Sequence, residues 1–320
     1  MEWRTGTRQP SILLLGATSI VGYSIYQAAR GIGLPIRPSC NRYVRHPVCE
    51  HWDRINLDDG LYGSNPIHAL ISSAAPDILI HCGGICDVDV CEAHPEWAYR
   101  INVASLRPLL QVLPRSTRLV YCSSDHVFSG DQGPVDERST PDPLSVCGQT
   151  RVAAETQLLN ERPDTLIVRY PLPIGRSYDG RRGHLDWLTY RTRRGLPTTV
   201  VADEARMAVW AAELAGRVIA MALSPIQGLR HLTGRRLIFR PALAYHLNQQ
   251  FQLGATIQTE TRQARSVPHL GQVELKTQFD DWLGEPLTSV VDGPPKVEPL
   301  VIRSGIAYRL NPHLQDLSPT

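Results

Sequence analysis

Short apolar runs, each closed by a glycine, a cysteine or a turn, punctuate the first half of the chain. Ser11 to Leu15 reads SILLL and ends on Gly16. From Val21 the apolar residues Val21, Ile25, Ala28 and Ile32 recur at helical spacing, which predicts a strand, a glycine turn and a helix. Further strands are expected over Leu34 to Pro38, Asp77 to Cys82, Arg118 to Cys122 and Thr165 to Arg169, with helical stretches between them. Short apolar strands alternating with helices predict an α/β fold built on a parallel, doubly wound sheet. Ligands then bind at the carboxyl ends of the strands. After about residue 170 the rhythm changes: a polar stretch, GRSYDGRRGHLDWLTYRTRRG, precedes AVWAAELAGRVIAMAL, a strand-like LRHLT and a helix-like PALAYHLNQQF. The segment from Glu285, with Pro286, Pro294, Pro295 and Pro299, reads as loop or extended arm.

Composition narrows the partners. The 320 residues are 42% hydrophobic and 20% charged, enough for a buried sheet core and a smaller second lobe. With 33 basic and 31 acidic residues the formal charge is +2, so nothing electrostatic points to nucleic acid or to a membrane surface. No run approaches the roughly 18 apolar residues of a membrane span. The start, MEWRTGTRQP, is too polar for a signal peptide, which makes the cytoplasm the expected location. Seven cysteines, several inside expected strands, fit free thiols in a reducing compartment. Lysine occurs only at Lys276 and Lys296, and every other basic residue is arginine.

The stretch Tyr121 to Glu155 carries the chemistry: YCSSDHVFSGDQGPVDERSTPDPLSVCGQTRVAAE. It resembles the active-site segment of the dTDP-4-dehydrorhamnose reductase branch of the extended short-chain dehydrogenases, whose pattern is STDYVFxG, a proline-rich loop and YGxxK. Ser123, Ser124, Asp125, Val127, Phe128 and Gly130 keep the first motif, and Gly148 and Glu155 keep the following helix. Cys147 stands where the family has its catalytic tyrosine and Arg151 where it has its lysine. RHLTG, from Arg230, stands where the family has YHLxG. The resemblance implies a Rossmann-like dinucleotide-binding domain, residues 1–170 with 201–222. It also implies a smaller discontinuous substrate lobe, residues 171–200 with 223–320.

The turn Gly16, Ala17, Thr18, Ser19, Ile20, Val21, Gly22 follows a strand and opens a helix, as a dinucleotide fingerprint requires. Glycines let backbone approach a pyrophosphate, whose charge sits on free N–H groups at the helix start. Ser19 replaces the middle glycine of the family's GxxGxxG. By the same resemblance Asn56 and Leu57 contact adenine, and Cys82, Gly83 and Gly84 of HCGGIC line the ribose. Asn102, Arg151, Tyr170 and Pro171 complete the cofactor set. Arg42 and Arg45 follow the second strand with no acidic residue nearby in sequence. Because a guanidinium suits a 2′-phosphate, NADP(H) is favoured over NAD(H).

At the reaction centre of such reductases a tyrosine donates a proton, a lysine holds the ribose, and a Ser or Thr polarises the carbonyl. Ser124 matches the last role, and Arg151 can supply the lysine's charge with a different reach. A thiol has a suitable reference pKa of ~8.5, but the Cys147 sulfur lies about 4 Å closer to the backbone than a tyrosine oxygen would. His126, beside Asp125, is then the alternative acid. A nucleophilic Cys147 and an inert, small, buried Cys147 are the other readings. On the substrate side the resemblance places Cys86, Ser124 and His126 near the carbonyl. Leu172 stands where the family packs an aromatic residue on the sugar, which argues against a dTDP-rhamnose precursor. Cys82, Cys86, Cys122 and Cys147 are expected to crowd one pocket. The spacing of Cys82, Cys86 and Cys91 is not that of a usual zinc ribbon, so no metal is expected.

Three functions follow from these residues. The first is an atypical short-chain dehydrogenase binding NADP(H) and transforming a carbonyl-containing small molecule in a specialised biosynthetic pathway. The second is a catalytically silent cofactor-binding regulatory subunit of a partner enzyme, comparable to the beta subunit of methionine adenosyltransferase. The third is a redox-neutral lyase or isomerase on the same fold. A homo-oligomer and a partner enzyme are the protein partners considered.

Overall fold

A computed structural model describes residues 9–62, 66–281, 283–295, 300–302 and 306–308; Lys296 and Pro299 lie outside them. In chain order the elements begin with β1 (Ile12–Leu15), α1 (Ile20–Gly31), β2 (Ile36–Cys40), β3 (Asp53–Arg54), α2 (Pro66–Ala74) and β4 (Ile78–His81). Next come α3 (Val88–Ala93), α4 (Pro95–Tyr99), a π-helical turn (Arg100–Ala104), α5 (Leu106–Val112), β5 (Arg118–Cys122), α6 (Val146–Glu161) and β6 (Leu166–Arg169). The remainder is β7 (Leu172–Ile174), α7 (Gly183–Arg193), β8 (Thr198–Val201), β9 (Ala205–Trp210), α8 (Ala211–Ala222), β10 (Gly228–His231) and β11 (Leu237–Phe239). It ends with α9 (Arg240–Gln250), β12 (Ile257–Glu260), β13 (Gln272–Val273), β14 (Leu300–Ile302) and β15 (Ile306–Tyr308).

Seven strands form one parallel sheet in the order β10-β6-β5-β4-β1-β2-β3. β1, β4 and β6 are buried at every position, as strands covered on both faces must be. Alternate side chains therefore feed two cores. Ile12, Leu14, Ile78 and Ile80 pack with Val21 and Ile25 of α1 and with Leu214 and Val218 of α8. Leu13, Leu15 and Leu79 pack on the other face with α2, α5 and α6. The strand order reverses between β1 and β4, which opens a crevice at their carboxyl ends.

The first five expected strands are found within two residues of their predicted bounds. Leu34 is buried beneath β2 rather than part of it, and Ile32 caps α1. Two features of the second half depart from the expected domain division. β10 lies at the edge of the large sheet, paired with β6, although residues from 223 were assigned to the substrate lobe. β9 lies in a second, smaller sheet, where it pairs with β11, β13 and β7, although 201–222 was assigned to the dinucleotide domain. Of that stretch α8 packs on the large sheet, joined by Val209 of β9. The segment read as loop or arm holds a 3₁₀ turn at Val290–Asp292 and the antiparallel pair β14–β15. Among the described residues no helix is long and apolar enough to cross a membrane.

Candidate functional site

At the end of β1 the chain turns through Gly16 at φ +76°. This left-handed conformation suits glycine, and there is no room for another residue: a Cβ on Gly16 would lie 2.4 Å from the Cα of Gly83. The turn after β1 thus lies directly against the loop after β4. Ser19 is the N-cap of α1; its Oγ accepts from the Gly22 N–H at 3.0 Å and donates to the Gly16 carbonyl at 3.0 Å. The replaced glycine has become a cap, and the first-turn N–H groups of Ile20 and Val21 have no acceptor within the helix. Leu57 borders the same crevice, since a Cβ on Gly83 would meet its Cδ1 at 2.9 Å.

The ends of β2 and β3 correct one expectation. Arg42 pairs with Asp59, seventeen residues on. The Asp59 carboxylate also accepts from the Asn56 N–H at 3.2 Å, and the Asn56 side chain accepts from the Arg42 N–H at 3.4 Å. Arg45 folds back on the carbonyls of Arg42, at 2.5 Å, and Val44, at 3.1 Å. An acidic residue therefore does stand beside these arginines, supplied by the turn after β3. A 2′-phosphate would compete with it for Arg42.

Asn102, on the π-helical turn, is buried and holds the loop after β4 from both sides. Its Oδ1 accepts from the Ile85 N–H at 2.7 Å, and its Nδ2 donates to the Ile85 carbonyl at 2.9 Å and to Thr150 Oγ1 at 2.9 Å. Its part in the crevice is to fix Cys82, Gly83 and Gly84. The His81 imidazole accepts from the Gly83 N–H at 3.2 Å. Burial, then the Arg151 charge, pushes it down to about 4, so it is neutral at pH 7. Tyr170 reaches the motif through its backbone carbonyl, which accepts from the Asp125 N–H at 3.1 Å.

Helix α6 begins against the other side of the crevice, capped by Ser145. Gly148 is required there, because a Cβ would fall 2.1 Å from the His126 carbonyl oxygen. Arg151, one turn further, is only 2% exposed. It donates from Nη1 to the Tyr121 hydroxyl at 2.9 Å and from Nη2 to the Cys86 sulfur. Cys86 is open to solvent yet ringed by protein, as a group on a cleft floor is.

Cys147 is not turned toward that cleft. It is fully buried and packs with Cys91, Ala98, Ile85, Val88 and Val146. Its sulfur lies 3.9 Å from the Ile85 carbonyl oxygen, and that of Cys91 lies 3.7 Å from the same atom. A hydrogen bond from Cys86 pulls the Cys147 thiol down, but its bond to Cys91 and its burial outweigh this and push it up to about 11. Cys82 lies beside Cys122 and within electrostatic reach of Cys86, which in turn bonds to Cys147 beside Cys91. All seven cysteines are free, and among the described residues no cluster is arranged to hold a metal.

Ser124 and Asp125 close the end of β5. Ser124 Oγ accepts from the His126 N–H at 3.3 Å and donates to Asp125 Oδ1 at 3.2 Å. Asp125, fully buried, is bound by Arg206 of β9 in bidentate fashion through one guanidinium edge, Nε to Oδ2 at 2.9 Å and Nη2 to Oδ1. It therefore ties the two sheets together instead of standing free beside the reaction centre. His126 is buried at Nδ1, which has no partner. Burial, then the Arg206 charge, pushes it down to about 4. Leu172 lies in β7, paired with Ala208 of β9 and packed in the second core.

Several residues around the site were given no role from sequence: Tyr121, His184, Glu204, Arg206 and Arg240. Glu204 accepts from His269 at 2.9 Å and lies 3.7 Å from Arg240 Nε. Arg240 also contacts His184 at 3.4 Å. A charged residue inside the apolar run ARMAVW was the available signal for Arg206, obscured by the abundance of arginine. A cavity of about 400 Å³ lies elsewhere, between Thr233–Arg235 and the segment 275–286, and contains none of the expected site residues.

Known proteins resemble this chain in sequence and in fold. A family model described as the RmlD substrate binding domain matches residues 10–269. The methionine adenosyltransferase 2 subunit beta of Bos taurus is 28% identical over 170 residues, 51% of this chain and 47% of its own length. A probable dTDP-4,6-dihydroxy-2-methyloxan-3-one 4-ketoreductase of Streptomyces antibioticus is 30% identical over 171 residues, 52% of this chain and 57% of its own. The chain thus spans about half the length of the curated relatives it matches. Among solved structures, a dTDP-4-dehydrorhamnose reductase of Bacillus anthracis in complex with NADP superposes with TM-score 0.73 at 17% identity, over 88% of this chain and 95% of that one. A UDP-glucose 4-epimerase of Thermus thermophilus in complex with NAD gives TM-score 0.71 at 17% identity, over 91% and 95%. At those identities the likeness is one of fold.

Proposed function

The chain belongs to the RmlD substrate-binding domain family, and from that premise we propose that it binds a nicotinamide dinucleotide, NADP(H) in preference to NAD(H), and acts on a carbonyl-bearing small molecule in the adjoining cleft. The observation that carries this reading is the close approach of Gly16 to Gly83, which brings the loops after β1 and β4 together beside the start of α1, where the strand order reverses. The residues present fit the cofactor. The turn from Gly16 to Gly22 offers the N–H groups of α1 to a pyrophosphate, Asn56 and Leu57 border the adenine end, and Arg151 supplies positive charge on the ribose side. When bound, the nicotinamide supplies or accepts hydride.

The protein's own groups then set the rest. Ser124 polarises the carbonyl oxygen. His126, neutral at pH 7, holds no imidazolium proton to release. Cys147, sealed from the cleft with its thiol near 11, acts as packing. Protonation of the substrate oxygen falls to solvent at the open floor beside Cys86.

Cys147 also supports a second reading, a regulatory subunit that holds the dinucleotide without turning over. The likeness to a methionine adenosyltransferase beta subunit points the same way. Fluorescence titration with NADPH and NADH tests the shared premise. NADPH is expected to saturate the protein at lower concentration than NADH, and Gly16→Val to weaken it by about tenfold or more. No association with either dinucleotide would end both readings. Absorbance at the nicotinamide band with a panel of nucleotide-sugar ketones then separates them, since only the enzyme consumes the reduced cofactor. A regulator instead copurifies with a partner enzyme.

A further inference from the structure

Beyond the nucleotide crevice, where β9 and α9 face the end of β5, three buried side-chain nitrogens lack hydrogen-bond partners. Arg240 opens α9, and its side chain is 13% exposed. Its Nη2 reaches His184 Nδ1 at 3.4 Å, and its Nε stands 3.7 Å from Glu204 Oε1, outside hydrogen-bond range. Its Nε and Nη1 are shut off from solvent and have no hydrogen-bond partner. His126 Nδ1 is in the same condition.

The neighbouring carboxylates are already engaged. Asp125 is held by Arg206 through both oxygens, and Glu204 accepts from His269 at 2.9 Å and is the counter-ion of Arg240 without accepting a hydrogen bond from it. A buried donor left without an acceptor costs about 1–3 kcal/mol, more when charged. Such groups therefore mark a place where something else accepts.

We propose that Arg240, flanked by His126 and His184, is an oxyanion-binding subsite that takes a carboxylate or phosphate group of the small molecule bound in the cleft. The inference rests on the proposed function only for locating a small molecule there. A guanidinium is the residue best suited to the task, since it stays charged and presents several fixed donors to oxygen. His126 and His184 are neutral at pH 7. Burial and then Arg206 lower the first, burial and then Arg240 the second, and each can donate without adding a repelling charge. His184 is braced by stacking on Trp187, ring centres 5.9 Å apart, so the subsite is walled on the α7 side as well.

Two inorganic or simple organic probes, phosphate and malonate, test the subsite on the full chain, each titrated with and without NADPH. The ¹⁵N-labelled arginine Nε–H resonance of Arg240 is the readout, assigned by its loss in Arg240→Gln. Saturable movement of that resonance by either probe supports the subsite, and which probe acts tells phosphate from carboxylate. Thermal stabilisation of the protein by the active probe should disappear in Arg240→Gln and partly return in Arg240→Lys. If neither anion moves the resonance, or if the variant is stabilised as much as the natural protein, the subsite does not exist. Should the glutamine variant fail to fold, the lysine variant provides the assignment and the resonance still decides. Failure of NADPH to bind would strike the proposed function instead, because the titrations without nucleotide read the subsite alone.

Discussion

Arg151 and Cys147 sit one helical turn apart in positions that define chemistry in related proteins, yet the structure gives them opposite surroundings. Arg151 reaches the cleft floor, bonded to Tyr121 and Cys86, whereas Cys147 turns into an apolar cluster. Arg151→Met should therefore weaken nucleotide binding by about tenfold, as loss of a charge-assisted contact does. Cys147→Ala should leave binding unchanged within error. Fluorescence titration of both variants measures the contrast, and equal effects would mean that Cys147 faces the ligand. The substitutions themselves were legible, because motif spacing locates residues along a helix. Their orientations were not, because a cysteine one bond long follows its packing rather than its position. The same limit applied to Arg42, whose partner Asp59 arrives from a turn seventeen residues away, and to Asp125, whose partner Arg206 lies on another sheet.

At the level of elements, α6 is fastened to the sheet by a buried pair. Glu155 accepts from Arg169 of β6, at 3.0 Å from Nε and 2.6 Å from Nη2, and from Ser123. Arg169 in turn lies over the Phe128 ring at 5.2 Å and beside His231 of β10 at 3.4 Å. Removing one partner strands a buried charge, so Glu155→Ala should lower unfolding free energy by about 3–5 kcal/mol. Urea denaturation measures it, and a change below about 1 kcal/mol, the range of exposed pairs, would show that water reaches Arg169. The strand β6 to which this pair fastens the helix was readable because Leu166 to Val168 is an uninterrupted apolar run. The strands of the second sheet were not. β9 carries a charge in its middle, β7 is three residues with a proline at its centre, and β13 is two residues long. Such strands are defined by distant partners rather than by local pattern.

For the molecule as a whole, four histidines are folded in without their protons. Burial first pushes His81, His126 and His231 down to about 4, and His184 well below its ordinary value of 6.5. The unfolded chain binds protons at these sites more readily than the folded one, so stability rises with pH over this interval. It should hold above about pH 6.5 and fall as pH drops toward 4, by up to about 1.4 kcal/mol per pH unit for each proton excluded. Urea midpoints at pH 7.5, 6 and 5 check this, and a midpoint that does not move would mean that these imidazoles already carry charge in the fold. The doubly wound sheet was legible as a whole because alternation of strand and helix is a global signal. Its last strand was legible as a strand, in LRHLT, but not as the edge of this sheet, because β7, β8 and β9 intervene in the chain before β10 returns to β6. The outer ladder of the first half is thus completed by residues that the ribosome makes some sixty positions later. Any fragment ending before Gly228 would bare the backbone of β6 as a raw, sticky margin inviting another chain to pair with it. The half of the chain that carries β1 to β6 is consequently no detachable module, since its outermost seam is closed only by what is made after it.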